Sequence, residues 1–389
     1  MKVLGIVAEY DPFHNGHLFH LAEAKRRVSP DWTCVALSPC LKQRGTLPLL
    51  FPADRARCAL EAGADAVFAL PVLWTVRDAE HYALGAVSLL GSLGATHLAF
   101  GAETDSLDLL WAAARLLEAP GPAFETALKE GLAAGQGYPA ALSAAVSAAL
   151  PGAEGLLDKP NNILAVCYLR AVLKLRLRIT PVLIPRKGDY HSPRIDPAAP
   201  SASALRDSLL RGSYSEAYQA VPPFCAELLR RRFLEQRIPD ERVLDTLLLS
   251  RLRSMSDAEY LNLPDLSEGM ENALRAAAKT CVSRKELITS LSGKRYPAAR
   301  ISRLCACALL GVTREDLETL PLPGSALLLG LRKNAAMTAS WKDLPVPVVS
   351  SFAEWAKTAH PADLSAWRLL AQCCRLRDTL PYTEKIVTV

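Results

Sequence analysis

Residues 8 to 20 read Ala-Glu-Tyr-Asp-Pro-Phe-His-Asn-Gly-His-Leu-Phe-His and join two elements of different kinds. The short apolar run before them, Val3–Val7, is typical of a buried first strand, and the apolar residues after them recur at helical spacing through Leu18, Leu21 and Val28. In α/β proteins, phosphate is usually bound where an early strand turns into a helix. We therefore expect a phosphate site at this turn.

The turn carries two histidines, His14 and His17, that are three residues apart. Because one helical turn brings such residues to the same side, both imidazoles would face one ligand. The helix start adds unpaired N–H groups and a partial positive charge. Asn15 is a good N-cap, and Gly16 lets a ligand approach the backbone. Donors that converge on one point suit the charge that develops on a phosphate during nucleotidyl transfer.

Two other interpretations of the histidines are open. A metal could bind them, but zinc helices usually space their histidines four residues apart with a glutamate beside the first, and that pattern is absent here. The histidines could also be ordinary surface residues that follow a strand. The phosphate site is the interpretation that we favour.

Composition bounds the class of protein. The 389 residues suggest two domains, and 50% hydrophobic with 22% charged residues provide a sizeable core. A net charge of +5 permits an RNA partner without requiring one. Ten cysteines without a C-x-x-C pair point to a reducing cytoplasm. Neither a signal peptide nor an apolar run near the ~18 residues of a membrane span is evident, so we expect no membrane association.

Up to about residue 205, short strand-like runs alternate with helical segments, which predicts an α/β domain with a doubly wound parallel sheet over residues 1–205. In such a sheet the ligand lies at the carboxyl ends of the strands. The predicted strands are Val3–Ala8, Thr33–Ser38, Ala66–Leu70, Thr96–Phe100 and Ile179–Ile184. The helical segments between them are Leu18–Val28, Asp54–Gly63, Ala79–Leu90, Leu107–Leu117, Ala123–Ala134 and Ile163–Leu175.

From about Ser203 onward, strand-like runs vanish and apolar residues recur at helical spacing, so residues 206–389 are predicted to form an all-helical domain. Most of its arginines are typical of a solvated surface. One cluster mixes cations with an aromatic residue, which suits an RNA backbone and a stacked base. We expect RNA contact at this cluster, Lys294, Arg295, Tyr296, Arg300 and Arg303.

A second phosphate cradle is predicted where Ser201, Ser203 and Arg206 open a helix after Pro200. An ordinary serine cap would look the same, so this motif is informative only in combination with the first one. A nucleoside triphosphate needs one set of donors for the reacting phosphate and another for the departing pyrophosphate.

Three further groups are candidate binding residues. Asn161 and Asn162 open a helix and could cap it or bond a base or ribose. Arg186 follows the fifth predicted strand, where phosphate contact is favoured. Arg44, in the loop Gln43-Arg44-Gly45, could hold a carboxylate or a nucleic-acid phosphate.

The His14-to-His17 motif and the Ser201-to-Arg206 motif resemble those of the HxGH nucleotidyltransferase superfamily. The fuller set resembles one family, the bacterial tRNA(Met) cytidine acetate ligases. The matching stretches are Val7 to His17, Gln43-Arg44-Gly45, Phe100-Gly101-Ala102-Glu103, Lys159 to Leu164, Tyr190-His191 and Ser201 to Arg206, with weaker matches at Glu268 to Asn272 and Lys294-Arg295-Tyr296.

The resemblance implies that ATP and acetate react to acetyl-adenylate and pyrophosphate. The acetyl group would then pass to the wobble cytidine of elongator tRNA(Met), giving N4-acetylcytidine. His14 and His17 would be the catalytic residues, magnesium is expected on the leaving pyrophosphate, and no obligate protein partner is implied. Between the two asparagines we favour Asn161. The expected ATP contacts are Val7, Ala8, Glu9, Tyr10, Asp11, Pro12, Phe13, His14, Asn15, Gly16, His17, Leu18, Phe19, His20, Gly101, Asn161, Asn162, Arg186, Ser201, Ser203 and Arg206.

The chain departs from the family pattern at several positions. Asp11 stands where the family usually has Asn, and Ala69 where it usually has Glu. The loop Ser38-Pro39-Cys40-Leu41-Lys42 replaces a Ser-Gly start followed by Asn or His and apolar residues, and Thr46-Leu47-Pro48 replaces Glu-Pro after Gly45. We expect the loop changes to affect acetate or tRNA positioning more than ATP binding.

Two other functions compete with the ligase. A small-molecule adenylyltransferase would share the first domain, but such enzymes are usually single α/β domains without ~180 further helical residues. A non-catalytic RNA-binding protein with a relict nucleotide fold is the other alternative, and the altered loop keeps it open.

Overall fold

The structure is a computed structural model that describes residues 1–186, 195–197, 200–267, 269–293, 296–333 and 335–389. Within these residues eight strands form one sheet: β1 (Val3–Ala8), β2 (Trp32–Leu37), β3 (Ala66–Ala69), β4 (His97–Ala102), β5 (Thr180–Pro185), β6 (Ala326–Leu331), β7 (Val348–Val349) and β8 (Val387–Thr388). Their order is β5-β4-β1-β2-β3-β6-β7, and β8 also pairs with β6.

Helices fill most of the described chain between the strands. The first group is α1 (Asn15–Val28), α2 (Pro52–Glu61), α3 (Val72–Thr75), α4 (Ala79–Ser92), α5 (Leu107–Glu118), α6 (Pro122–Ala133), α7 (Tyr138–Ala149) and α8 (Pro160–Lys174). The later group is α9 (Ala202–Leu210), α10 (Tyr214–Gln219), α11 (Pro223–Leu234), α12 (Glu241–Ser254), α13 (Asp257–Leu261), α14 (Met270–Thr280), α15 (Arg284–Leu291), α16 (Ala298–Leu310), α17 (Arg314–Glu318), α18 (Ala335–Ser340), α19 (Phe352–Trp355), α20 (Pro361–Cys373) and α21 (Leu380–Thr383).

The strands β1 to β5 pair with one another in parallel, and helices pack on both faces of the sheet. Alternate residues of a strand point to opposite faces. In β1, Leu4 and Ile6 therefore join the core beneath α1 and α2, whereas Val3 joins the core beneath α4 and α8. The predicted fold class, a doubly wound parallel sheet followed by helices, is confirmed: the sheet is mostly parallel, and many helices follow it.

The expectation that the chain is entirely helical after Ser203 is wrong in one respect. β6 returns to the sheet and runs antiparallel to β3, and β7 and β8 pair with β6. The sequence of β6 is Ala-Leu-Leu-Leu-Gly-Leu, which has no alternation because the strand is buried, and a short apolar run cannot be told from a helix by periodicity. A Cβ on Gly330 would lie 2.8 Å from Leu60, so glycine allows β6 to pack closely on α2.

The later helices divide into two sets. Buried residues of α12, α14, α15 and α16 form a core of their own, whereas buried residues of α9, α11 and α20 belong to the core on the α1 face of the sheet. The division into domains at residue 205 stays a prediction. Among the described residues, no helix combines the length and the apolar character that a membrane span requires.

Candidate active site

The sheet opens between β1 and β4. These strands are paired as far as Ile6 with Ala99, yet β1 continues to Ala8 and β4 to Ala102. From here the order runs to β2 and β3 on one side and to β5 on the other. This is a topological switch point, where ligands bind outside the carboxyl ends of the strands.

At the start of α1, two histidines support each other's backbone. His14 is the N-cap and His17 is the third residue of the helix. Nδ1 of each ring accepts the backbone N–H of the other residue at 3.3 Å, and the two rings stack with centroids 3.6 Å apart. Since Nδ1 is the acceptor in both rings, each neutral imidazole carries its proton on Nε2. Two Nε2–H donors are therefore available to a ligand.

The environment keeps these imidazoles neutral. Burial and the charge of Arg186 lower the pKa of His14 to about 3, and burial, His14 and Arg186 lower the pKa of His17 well below its usual value. Burial and Arg186 also lower the pKa of His20, one turn further along α1, to about 4. The histidines thus donate hydrogen bonds without carrying charge at neutral pH, and Arg186 supplies positive charge beside them.

Asn15 has a different role from the expected N-cap. It is the first helical residue, and its Nδ2 donates to the carbonyls of Pro197 at 3.0 Å and Gln219 at 3.1 Å. Its backbone N–H donates to the carbonyl of Ala220 at 3.0 Å. The prediction of Asn15 as the N-cap is wrong. Asparagine is a preferred N-cap residue, but here the His14 side chain accepts the backbone N–H of His17 instead. Asn15 instead fastens the helix start to segments near α9 and α10.

The two predicted phosphate motifs lie side by side. A Cβ on Gly16 would be 3.9 Å from Cδ of Pro200, the residue before Ser201. Arg206 crosses between the motifs: its Nη1 donates to the carbonyl of Asp11 at 3.1 Å and lies 3.3 Å from the Asp11 carboxylate. Ser201 is buried, and the exposed Ser203 accepts from Arg206 at 3.4 Å.

Asp11 is the centre of a buried charge cluster. Its Oδ2 lies 2.5 Å from Nζ of Lys42, and both side chains are almost inaccessible to solvent. Burial alone would raise the pKa of Asp11, but the charges of Lys42, Arg206 and Arg55 outweigh it and hold the carboxyl below its ordinary value. Asp11 and Lys42, which both depart from the family pattern, therefore form one ion pair in which each charge neutralises the other.

The start of α8 is built around Glu103, which follows β4. The Glu103 carboxylate accepts the backbone N–H of Asn162 at 2.9 Å and Nδ2 of Asn161 at 2.6 Å. Asn162 is buried, and its Oδ1 accepts the N–H groups of Glu103 and Thr104 while its Nδ2 donates to the carbonyl of Leu156. Both Oδ1 and Nδ2 of Asn162 are thus bonded within the protein, whereas only Nδ2 of Asn161 is bonded and its Oδ1 has no partner among the described residues. This difference favours Asn161 as the ligand residue.

Arg55 and Tyr10 contribute to the site in ways that the sequence analysis missed. Arg55 in α2 is fully buried, and its guanidinium donates to the carbonyls of Glu9 and Ser38 at 2.8 Å, and to that of Pro39. One side chain therefore holds the loops after β1 and β2 together. The ring of Tyr10 packs 5.0 Å from that of His17, and its buried hydroxyl has no partner among the described residues. The role of Arg55 could not be predicted, because its partners are backbone carbonyls, which no residue type identifies. The only signal in the sequence is a charged residue on the apolar face of a helix.

The loop with Gln43, Arg44 and Gly45 connects this site to α16. The Glu9 carboxylate accepts the N–H of Gln43 at 2.8 Å, and Nε2 of Gln43 donates to the carbonyl of Arg77 at 2.6 Å. Gly45 has a positive φ of 67°, and a Cβ there would lie 2.7 Å from the carbonyl oxygen of Ser302. Only glycine fits so close an approach.

Candidate RNA-binding residues lie on both sides of the contact between Gly45 and Ser302. Arg44 is exposed on the loop. Arg300 donates to the carbonyl of Asp265 at 2.6 Å and its guanidinium lies 5.5 Å from the ring centroid of Tyr296. The backbone of Arg303 lies against Gly45. Other predicted residues, Lys294, Arg295, Glu268 and Tyr190-His191, lie outside the described residues.

The remaining predicted residues have clear places. Val7 and Ala8 end β1, and Gly101 lies in β4 beside the opening. Pro12 and Phe13 are buried in the loop before α1, and Leu18 and Phe19 lie on α1, where Phe19 is exposed. The backbone N–H of Arg186 donates to the carbonyl of Ala102 at 2.8 Å, which puts this residue at the same edge of the sheet.

Comparison with known proteins assigns this arrangement to a class. The family model for HIGH nucleotidyl transferases matches residues 1–379. A tRNA(Met) cytidine acetate ligase from Kosmotoga olearia is 32% identical over 93% of this chain and 88% of its own, and one from Acetivibrio thermocellus is 32% identical over 93% and 91%.

Solved structures of related proteins have the same fold as this chain. Crystal structures of Thermotoga maritima TmcAL, one apo and one bound with alpha-thio ATP, superpose with TM-scores of 0.94 and 0.90 at 27% identity over 100% of both chains. The chain belongs to the HIGH nucleotidyl transferase family and, within it, to the tRNA(Met) cytidine acetate ligases.

Because Asp11 and Lys42 form a buried ion pair, the effects of substituting them on the free energy of unfolding should not add. We expect Asp11→Asn to reduce the free energy of unfolding by about 3–5 kcal/mol, because Lys42 would remain buried without its carboxylate. Lys42→Met should cost less, since Arg206 still faces Asp11, and the double variant should recover much of the loss. Urea unfolding followed by tryptophan fluorescence measures all three. Arg57→Met with Glu61→Gln, an exposed pair, is the control, and additive effects at residues 11 and 42 would contradict the interpretation.

The two asparagines should separate stability from ligand binding. Asn162→Ala leaves two backbone N–H groups and one carbonyl without partners, so we expect a lowered melting temperature. Asn161→Ala removes one hydrogen bond to Glu103, so it should lower the melting temperature less than Asn162→Ala does, and it should weaken ATP binding. Thermal unfolding and calorimetric titration with ATP give the two quantities for each variant. Equal losses of ATP affinity in both variants at unchanged stability would show that the assignment is wrong.

Proposed function

We propose that this protein acetylates the exocyclic amine of the wobble cytidine in elongator tRNA(Met), using ATP and acetate through an acetyl-adenylate. The main support is the pair of neutral imidazole donors, His14 and His17, at the topological switch point of the sheet. The relatives of this chain are tRNA(Met) cytidine acetate ligases, which agrees with that site. The alpha-thio ATP bound by the Thermotoga maritima neighbour supports an ATP site. We expect the enzyme to act in the cytoplasm, where tRNA is used.

In the first step an acetate oxygen attacks the α-phosphorus of ATP. The bond from this phosphorus to the bridging oxygen breaks, and pyrophosphate leaves with the electron pair. The chain would provide the Nε2–H groups of His14 and His17 as donors to the phosphate oxygens on which negative charge accumulates. The charges of Arg186 and Arg206 would attract the triphosphate, and neither histidine forms a covalent bond.

In the second step the cytidine amine attacks the acetyl carbon. The bond to the AMP oxygen breaks, AMP leaves, and the nitrogen gives up a proton. Because an amine within a stacked loop cannot reach the crevice between β1 and β4, the wobble base must be splayed out of the anticodon loop.

The remaining ligand contacts follow from the places of the residues. Val7 to His20 and Gly101 border the opening of the sheet, and Asn161 lies at the start of α8. Ser201 and Ser203 lie at the start of α9, beside the first motif. We propose that these residues, with Arg186 and Arg206, hold ATP.

Magnesium fits this site as a companion of the triphosphate. No group of three or more histidine, cysteine or acidic side chains that could hold a metal occurs in the described part of the chain. Mg²⁺ keeps several waters and is commonly bound through substrate phosphates. We therefore propose that it arrives on ATP and neutralises charge on the pyrophosphate.

Arg44 and Arg303 are the residues that we propose for contact with the RNA backbone. Nε of Arg303 is buried and has no hydrogen-bond partner among the described residues. Because an RNA phosphate cannot reach this buried Nε, we propose that the terminal Nη groups of the Arg303 guanidinium make the contact. Arg300 is already bonded to a carbonyl and should contribute less. Lys294 and Arg295 remain candidates by their sequence.

One assay tests the proposal. The purified protein is incubated with ATP, labelled acetate and bulk tRNA, and label in tRNA is measured together with acetate-dependent exchange of pyrophosphate into ATP. We expect both signals, each requiring ATP. Exchange without an acetate requirement would indicate a small-molecule adenylyltransferase, and tRNA binding without turnover would indicate a relict fold; either result contradicts the proposal.

His17→Ala tests the role of the histidine pair. Removing one donor to the developing charge should lower the rate of adenylate formation by about 10²–10³-fold. The affinity for tRNA should be unchanged, because the variant alters only the ATP site. His97→Ala is the matched control, since His97 lies at the opposite end of β4. Retained pyrophosphate exchange in His17→Ala would defeat the assigned role.

A further inference from the structure

An aromatic ladder lies on the surface beside the start of α1. The rings of Tyr214 and Tyr218, one turn apart on α10, are nearly parallel with centroids 5.8 Å apart. The guanidinium of Arg230 on α11 lies 4.6 Å from the ring centroid of Tyr218, and the ring of Phe233 meets Tyr214 edge-on at 5.4 Å. Tyr214 is 39% exposed. We call Tyr214, Tyr218 and Arg230 the aromatic platform.

The platform is joined directly to the candidate active site. Gln219 and Ala220, which follow Tyr218, offer their carbonyls to the side chain and backbone of Asn15. Asn15 in turn lies between His14 and Gly16 at the start of α1. A molecule that rests on Tyr214 is therefore held by a segment that is hydrogen-bonded to the histidine helix.

The charges around the platform suit a polyanion. Arg232 is paired with Asp54 and Glu235, whereas in the described residues no carboxylate lies within ion-pair distance of Arg230 or of the exposed Arg231. Glu216 lies on the opposite side of α10, because two residues from Tyr214 correspond to about half a turn. Exposed rings with unpaired cations are the combination that binds unpaired bases and the phosphates between them.

We propose that the aromatic platform stacks an unpaired base of the RNA substrate, next to the nucleotide that enters the crevice. This inference rests on the proposed function, because it names the part of the protein that holds the anticodon loop during transfer. A base splayed from the loop needs a new surface to replace its lost stacking, and Tyr214 offers an exposed ring backed by Tyr218.

Packing within the protein explains less of the arrangement. Aromatic residues four apart stabilise a helix modestly, and that role requires neither the exposure of Tyr214 nor unpaired arginines around it. A purely packing role predicts that substitutions lower stability and leave RNA affinity unchanged. If the platform stacks a base, the substitutions should instead lower RNA affinity and leave stability nearly unchanged.

The test compares Tyr214→Ala, Tyr214→Phe and Arg230→Gln with wild type, and Tyr138→Ala, an exposed tyrosine on α7, is the matched control. The probe is a labelled anticodon stem-loop of elongator tRNA(Met), and its dissociation constant is measured by fluorescence anisotropy. We expect Tyr214→Ala to bind about 5–150-fold more weakly, Arg230→Gln to bind more weakly, and Tyr214→Phe to bind as wild type does. The KM for tRNA should rise in Tyr214→Ala at unchanged kcat, with acetate-dependent pyrophosphate exchange unaffected.

Each other outcome overturns a specific statement. Unchanged RNA affinity and KM in Tyr214→Ala and Arg230→Gln, in a protein whose wild type acetylates tRNA, would refute the platform alone. A loss in Tyr214→Phe as large as in Tyr214→Ala would mean that the hydroxyl acts, and would also refute stacking. A change of oligomeric state without a change of RNA affinity would identify the surface as a protein contact. Wild type that neither binds nor acetylates the RNA would refute the proposed function itself.

Discussion

The reciprocal hydrogen bonds between His14 and His17 link the fold of this protein to its chemistry. Each Nδ1 accepts a backbone N–H at the start of α1, so the same contacts cap the helix and fix the tautomer of both rings. The two Nε2–H groups are thereby directed away from the cap. A charged side chain at this position would lose solvation on burial, whereas neutral imidazoles remain donors at little cost.

The surrounding charges are arranged so that this helix start stays in place. Asp11 neutralises Lys42 and holds Arg206, and Arg206 connects the loop after β1 to α9. Arg55 binds the carbonyls at the ends of two strands, and Asn15 binds those at the end of α10. Residues far apart in the chain thus fix one opening at the carboxyl edge of the sheet, which gives the proposed reaction a preorganised site.

Much of this arrangement was predictable from the sequence. The unbroken apolar run of β1 and the helical spacing after it gave the strand, the turn and α1, and alternation gave the parallel sheet. β6 was missed because a buried leucine-rich strand has no period that separates it from a helix. Asp11 and Lys42 each stood out as a departure from the family pattern, but their pairing was missed because they are 31 residues apart in the chain. The exchange of roles between His14 and Asn15 depends on ring geometry, which no residue preference encodes.

The most direct measurement of the central claim is nitrogen NMR of the histidine side chains in the full-length protein. Assigned against His14→Gln and His17→Gln variants, both rings should show a protonated Nε2 and an unprotonated Nδ1 at pH 7. They should not titrate between pH 8 and 5, since the pKa of His14 is about 3 and that of His17 is well below the ordinary value of 6.5. Because both bind a proton less tightly when folded, the free energy of unfolding should fall as the pH drops below about 6.5. A proton on either Nδ1, or a pKa near 6.5, would contradict the account.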